Sequence, residues 1–176
     1  AGKVLFRLSR IFFLLFYPYT KRFTFLCHYF LGVALAMAPA GGYIAVTGEL
    51  PFGIILLSGG VCLWIGSFDV IYGSQDRQFD LDHKLHSMAT QFGVANAHKI
   101  AAFFHFISIL CFIGAGIYFD LSFIYYIGVL IAILTLIYQH SLITPYDFSR
   151  LTQVYFMRNG IVSIVIFVFT LIDILS

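Results

Sequence analysis

The chain has 176 residues, of which 61% are hydrophobic and 10% charged, with a mean hydropathy of +0.95. A soluble globular domain carries roughly 25% charged residues, so that class is excluded. The net charge of +2 is spread between apolar segments, which excludes a nucleic-acid-binding surface.

Hydropathy marks six apolar segments, read against the roughly 20 residues a spanning helix needs. The first, Val4 to Tyr19, is short and carries Arg7 and Arg10, so it reads as the tail of a longer helix. The opening AGKVLFRLSR has no initiator Met and no signal-peptide layout, and the chain is therefore expected to be N-terminally incomplete. The second segment is Phe23 to Val46; its Gly32, Ala36 and Ala40 recur every four residues, a stripe that lets helices approach closely. Pro39 is expected to bend it. The third runs from Phe52 to about Tyr72, the fourth from Ala95 to Phe119, the fifth from Leu121 to about Tyr138, and the sixth from Tyr155 to Leu175. Period-2 alternation is absent, which argues against a transmembrane barrel. The expected fold is all-α, a polytopic transmembrane helical bundle forming a single domain over residues 1–176.

Charge sets the expected orientation. Lys21 and Arg22 follow the first segment, Arg77, Lys84 and Lys99 lie between the third and fourth, and Arg150 and Arg158 between the fifth and sixth. The other two connections carry only Glu49 and Asp120. The positive-inside rule puts the three basic connections in the cytoplasm. Lys3, Arg7 and Arg10 run against this assignment.

Two stretches carry chemistry. DVIYGSQDRQFDLDHKLHSMATQFG, residues 69–93, holds Asp69, Asp76, Asp80 and Asp82, four of the eight acidic residues. Asp76 and Asp80 are one helical turn apart, and Asp69 and Tyr72 fall on the same stripe. Carboxylates beside an apolar run are expensive and usually functional. A carboxylate pair is what Mg²⁺ needs when substrate phosphates supply its other ligands. The competing reading is a solvated helix end. YPYTKRFT, residues 17–24, places Tyr17 and Lys21 on one helix face with Arg22 beside them. Taken alone it fits an interfacial anchor; on the same membrane side as the carboxylates it fits a diphosphate clamp. Cys27, Cys62 and Cys111 have no metal-type spacing and read as inert thiols, and the histidines as packing or interfacial groups.

DVIYGSQDRQFD with HSMATQFG resembles the second aspartate-rich motif of the UbiA family of intramembrane aromatic prenyltransferases. YPYTKRFT resembles the segment after that family's fourth helix, and YQHSLITPYDFSRL its eighth-helix end. The resemblance is strongest to 4-hydroxybenzoate polyprenyltransferases and to related enzymes of menaquinone pathways. It implies a bundle of about nine helices, six of them represented here, around a cavity. The implied reaction is transfer of a polyprenyl group from a polyprenyl diphosphate to an aromatic acid within the bilayer, with Mg²⁺ as cofactor. Carried over by position, Asp76 and Asp80 are the metal-diphosphate aspartates and, with Lys21, the catalytic set. Tyr17, Tyr72, Arg22 and Asp69 are substrate-binding candidates, with Asp69 also a candidate proton acceptor. The active-site loops would face the cytoplasm across a bacterial inner membrane. The family's first Asp-rich motif, NxxxDxxxD, does not occur in this chain. A non-catalytic membrane scaffold and an ion-transport protein using Asp69 and Asp76 remain the readings of another class.

Overall fold

The computed structural model describes residues 19–144 and the backbone of 151–176, with side chains of that last stretch from Asn159 onward. Residues 4–18 of the first apolar segment, Tyr17 among them, and most of TPYDFSR lie outside the described residues. Four long helices, α1 (Cys27–Thr47), α2 (Phe52–Gly73), α5 (Val94–Tyr118) and α6 (Phe123–Leu142), are long and apolar enough to cross a membrane. Between α2 and α5 lie a 3₁₀ turn, Ser74–Asp76, and two short helices, α3 (Arg77–Asp82) and α4 (Met88–Phe92). The last helix, α7, spans Leu151–Leu175.

The second to sixth apolar segments therefore form helices as expected, with shifts at their ends that have local causes. The second segment becomes helical at Cys27 and not at Phe23, because residues 21–26 form tight turns. There the amides of Arg22, Phe23 and Thr24 return to the carbonyls of Tyr19 and Thr20, and Thr24 Oγ1 accepts from the Leu26 amide at 3.1 Å. Such side-chain bonds to the backbone compete with helix. α1 stops at Gly48, whose φ of 80° is the left-handed conformation that ends helices cheaply. Gly93, at φ 78°, ends α4 and opens α5.

α2 packs between α1 and α5. A Cβ on Gly32 would overlap the Cys62 carbonyl, and one on Gly60 would lie 2.7 Å from the Phe112 ring. Small residues thus bring the helices together where no hydrophobic force separates protein from lipid. Of the predicted stripe, Gly32 makes this contact, whereas Ala36 and Ala40 line an apolar groove with Ser58, Gly59 and Cys62. The main core joins Trp64, Ile109, Phe112, Tyr125, Val129, Leu136 and Val162. Three polar groups there are paired: Tyr125 Oη donates to the Phe112 carbonyl at 2.8 Å, Ser108 Oγ to that of Gly60 at 2.7 Å, and Trp64 Nε1 to Asn159 Oδ1 at 3.0 Å. Hydrocarbon offers such groups no other partner. Large apolar side chains such as Phe103, Phe106, Leu134, Ile164 and Phe167 point outward, as lipid-facing positions should.

Candidate functional site

α2 carries the acidic stretch out of the apolar region. Its helix passes through the 3₁₀ turn at Ser74–Asp76 and continues as α3, which closes at His83. Lys84, at φ 54°, then reverses the chain, and the Leu85 amide returns to the Asp80 carbonyl at 2.8 Å. The reversed strand of loop reaches the basic stretch: the His86 amide donates to the Lys21 carbonyl at 2.6 Å. Ser87 and Thr90 form a reciprocal capping box that starts α4. Arg77 Nε donates to the Ala89 carbonyl at 3.0 Å, and Phe25 and Phe92 meet edge to face at 5.4 Å. The two chemistry-bearing stretches, 59 residues apart at Lys21 and Asp80, are thereby held against each other.

The Lys21 ammonium donates to both oxygens of Asp80, at 3.1 and 3.2 Å. Asp80 is 1% exposed and Lys21 24%, so the pair opens to solvent only on its lysine side. Asp76, one turn earlier, is exposed and its carboxylate makes no hydrogen bond or ion pair among the described residues. The predicted carboxylate pair therefore has two unlike members: one buried and clamped, one open. Tyr72 is exposed and stacks on Phe68. Arg22 is also exposed, its guanidinium 5.9 Å from the Tyr19 ring centroid, apart from the Lys21–Asp80 pair. Tyr17 lies outside the described residues.

Asp69 lies two turns deeper along α2. Its Oδ2 meets His28 Nδ1 of α1 at 2.8 Å. His28 is fully enclosed and its ring lies over Gly73, where a Cβ would come within 2.7 Å of Cε1. Sequence reading set His28 aside as a packing residue and missed this pair. The available signal was weak: an imidazole and a carboxylate, each inside an apolar segment, at a separation no helical period links. A second histidine pair was also missed: His105 Nδ1 and His140 Nε2 are 2.8 Å apart, with His105 Nε2 3.1 Å from the Trp64 carbonyl.

Among the described residues no three His, Cys, Asp or Glu side chains converge on one point. Mg²⁺ does not need such a cage, since it binds through one or two carboxylates and completes its shell with substrate phosphates and water. Asp76 offers a free carboxylate, and Asp80 offers a second once Lys21 turns away from it. These residues fit a cation that arrives with a diphosphate.

The model of the UbiA prenyltransferase family matches residues 4–161. The chain belongs to the UbiA family. Over 157 residues it is 31% identical to a protein of Nitrosospira multiformis named 4-hydroxybenzoate octaprenyltransferase, covering 89% of this chain and 53% of that protein. A protein of Alcanivorax borkumensis with the same name is 37% identical over 127 residues, 72% of this chain and 43% of its own length. The apo structure of a UbiA homolog from Aeropyrum pernix K1 superposes with a TM-score of 0.83 at 25% identity, covering 97% of this chain and 63% of that one. This UbiA chain thus spans about half the length of the curated relatives it matches. Its helices and its family make it an integral membrane protein with the UbiA fold.

Proposed function

We propose that the protein to which this chain belongs is a Mg²⁺-dependent prenyltransferase. It would move a polyprenyl group from a polyprenyl diphosphate onto an aromatic acid, with 4-hydroxybenzoate the acceptor its named relatives suggest, in ubiquinone-type quinone synthesis. The observation that carries this reading is the meeting of Lys21 with Asp80 beside the open carboxylate of Asp76, at one end of an apolar bundle. An ion path would distribute its acidic groups across the membrane. Here Asp76, Asp80 and the ammonium gather at one end, as a diphosphate site requires.

Each residue then has a part. Asp76 and Asp80 would hold Mg²⁺, which when bound neutralises charge on the departing diphosphate. Lys21 moves its ammonium from Asp80 to a diphosphate oxygen, so the ion pair stores a cation for the substrate. Tyr72, exposed one turn before Asp76, can donate its hydroxyl to the same group. The allylic C–O bond breaks with its electron pair leaving on the diphosphate. A π pair of the acceptor ring then forms the new C–C bond. Asp69 takes the proton released from that ring carbon, and the C–H pair restores aromaticity. The apolar helices exclude water, which would otherwise capture the allylic cation. The loops carrying Lys21 and Asp76 would lie on the cytoplasmic side of a bacterial inner membrane, following the basic connections.

The test is Lys21→Gln in the protein as its gene encodes it, with rates normalised to folded, membrane-inserted enzyme. Loss of a charge-assisted contact of roughly 1.5–3 kcal/mol should weaken use of the diphosphate by about one to two decades in kcat/KM. An unchanged kcat and KM with lower membrane yield would make Lys21 an interfacial anchor and remove the basic half of the site.

A further inference from the structure

Asp69 has a partner that the proposed chemistry does not yet use. His28 Nδ1 sits 2.8 Å from Asp69 Oδ2, bridging α1 and α2 inside the membrane-spanning part of the bundle. The two side chains differ in access: His28 is 2% exposed and Asp69 14%. The carboxylate keeps a small exposed surface, and the imidazole behind it has almost none. His28 Nε2 is buried and has no hydrogen-bond partner, so the hydrogen bond that orients the ring is the one Nδ1 makes to Asp69. The space it occupies exists because residue 73 is glycine, since a Cβ there would lie 2.7 Å from His28 Cε1. A carboxylate facing Nδ1 selects the Nδ1–H form, which donates to the carboxylate and fixes its orientation. A helix tie could be made by any apolar pair. An imidazole enclosed against a carboxylate, in a slot only glycine permits, is a costly arrangement for that purpose.

We infer that His28 is a positioning residue for proton removal: it fixes the direction of the Asp69 carboxylate that receives the ring proton. This rests on the prenyl-transfer reading above. In the step it serves, the ring C–H bond breaks, its electron pair returns to the ring, and the proton forms an O–H bond on Asp69. His28 keeps its own Nδ1–H throughout and exchanges nothing with the substrate.

The experiment compares the parent, His28→Phe and His28→Gln, each in the protein as its gene encodes it. Rates are measured with a polyprenyl diphosphate and with 4-hydroxybenzoate, ordinary and deuterated at the carbons ortho to the hydroxyl. In the parent, proton loss should follow the slow step and the isotope effect on kcat should be close to one. In His28→Phe, kcat should fall about 10- to 100-fold, as for a misdirected reacting group. The diphosphate KM should stay within about twofold, and the isotope effect should rise above about two as proton loss becomes limiting. His28→Gln, which keeps an N–H donor, should recover part of kcat. If the Phe variant does not insert, the Gln variant carries the test through its isotope effect. A parent that turns over while the inserted variants keep its kcat, or lose rate with no isotope effect, overturns the inference alone. A parent that prenylates neither this acceptor nor another aromatic acid overturns the function reading and the inference with it.

Discussion

The two ends of α2 treat carboxylates in opposite ways. At the Gly73 end, Asp80 is buried against a lysine from a distant loop and Asp76 stands open one turn away. At the Phe52 end, the nearest acidic group described on the long helices is Asp173 of α7, and its role is purely local. It accepts from the amides of Ser122 at 2.9 Å and Tyr125 at 3.1 Å and from the Ser122 hydroxyl, closing the N-terminus of α6. That end also holds a cavity of about 310 Å³ lined by Tyr43, Ile54, Leu57, Phe119, Tyr125, Thr170 and Ile174, nearly all apolar. One end therefore binds charge and the other satisfies backbone. A carboxylate whose acceptors are filled by helix amides is structural, whereas one held by a movable ammonium, or by nothing, is available for chemistry.

Four substitutions grade that contrast, ordered by their expected effect on unfolding in detergent. Lys21→Met leaves Asp80 buried without its cation and should cost about 3–5 kcal/mol. Adding Asp80→Leu to it should recover most of that loss while transfer stays absent; a double variant as unstable as the single one would mean the ion pair is not what Lys21 contributes. Gly73→Ala drives a methyl group into the His28 ring and should cost about 1–3 kcal/mol. It should also lower kcat by misdirecting Asp69, and wild-type stability here would show that the helices have room to separate. Asp173→Ala removes a helix cap at the far end, with a small expected loss of stability and prenyl transfer retained. Loss of transfer in that variant, at equal folded yield, would erase the distinction between the two ends. Asp76→Ala should change stability by less than about 0.5 kcal/mol, as for an exposed side chain without partners. Its prenyl transfer should nonetheless fall to background, and normal Mg²⁺-dependent turnover would remove Asp76 from the metal site.

Composition and segment length were enough to determine that this chain is a bundle of membrane-spanning helices, because the bilayer demands long apolar stretches with internally satisfied backbones. The spacing of Asp76 and Asp80, and the motifs around Lys21 and Asp76, were equally legible, since residues one turn apart are neighbours whatever surrounds them. The beginning of α1 was less so: Phe23 to Leu26 are apolar or neutral, and only the turn bonds around Thr20 and Thr24 keep them out of the helix. Pairings between distant residues were not legible at all. Lys21 with Asp80, His28 with Asp69 and His105 with His140 join positions 35 to 59 residues apart. Such pairs depend on which faces of the helices meet, and in this chain the meeting points are set by where glycines allow contact, at Gly32, Gly60 and Gly73. The sequence by itself determined the material and the list of reactive groups. Only the tertiary structure decided that Asp80 is clamped, Asp76 open and Asp69 backed by an imidazole, because burial and partnership arise between helices and not along them.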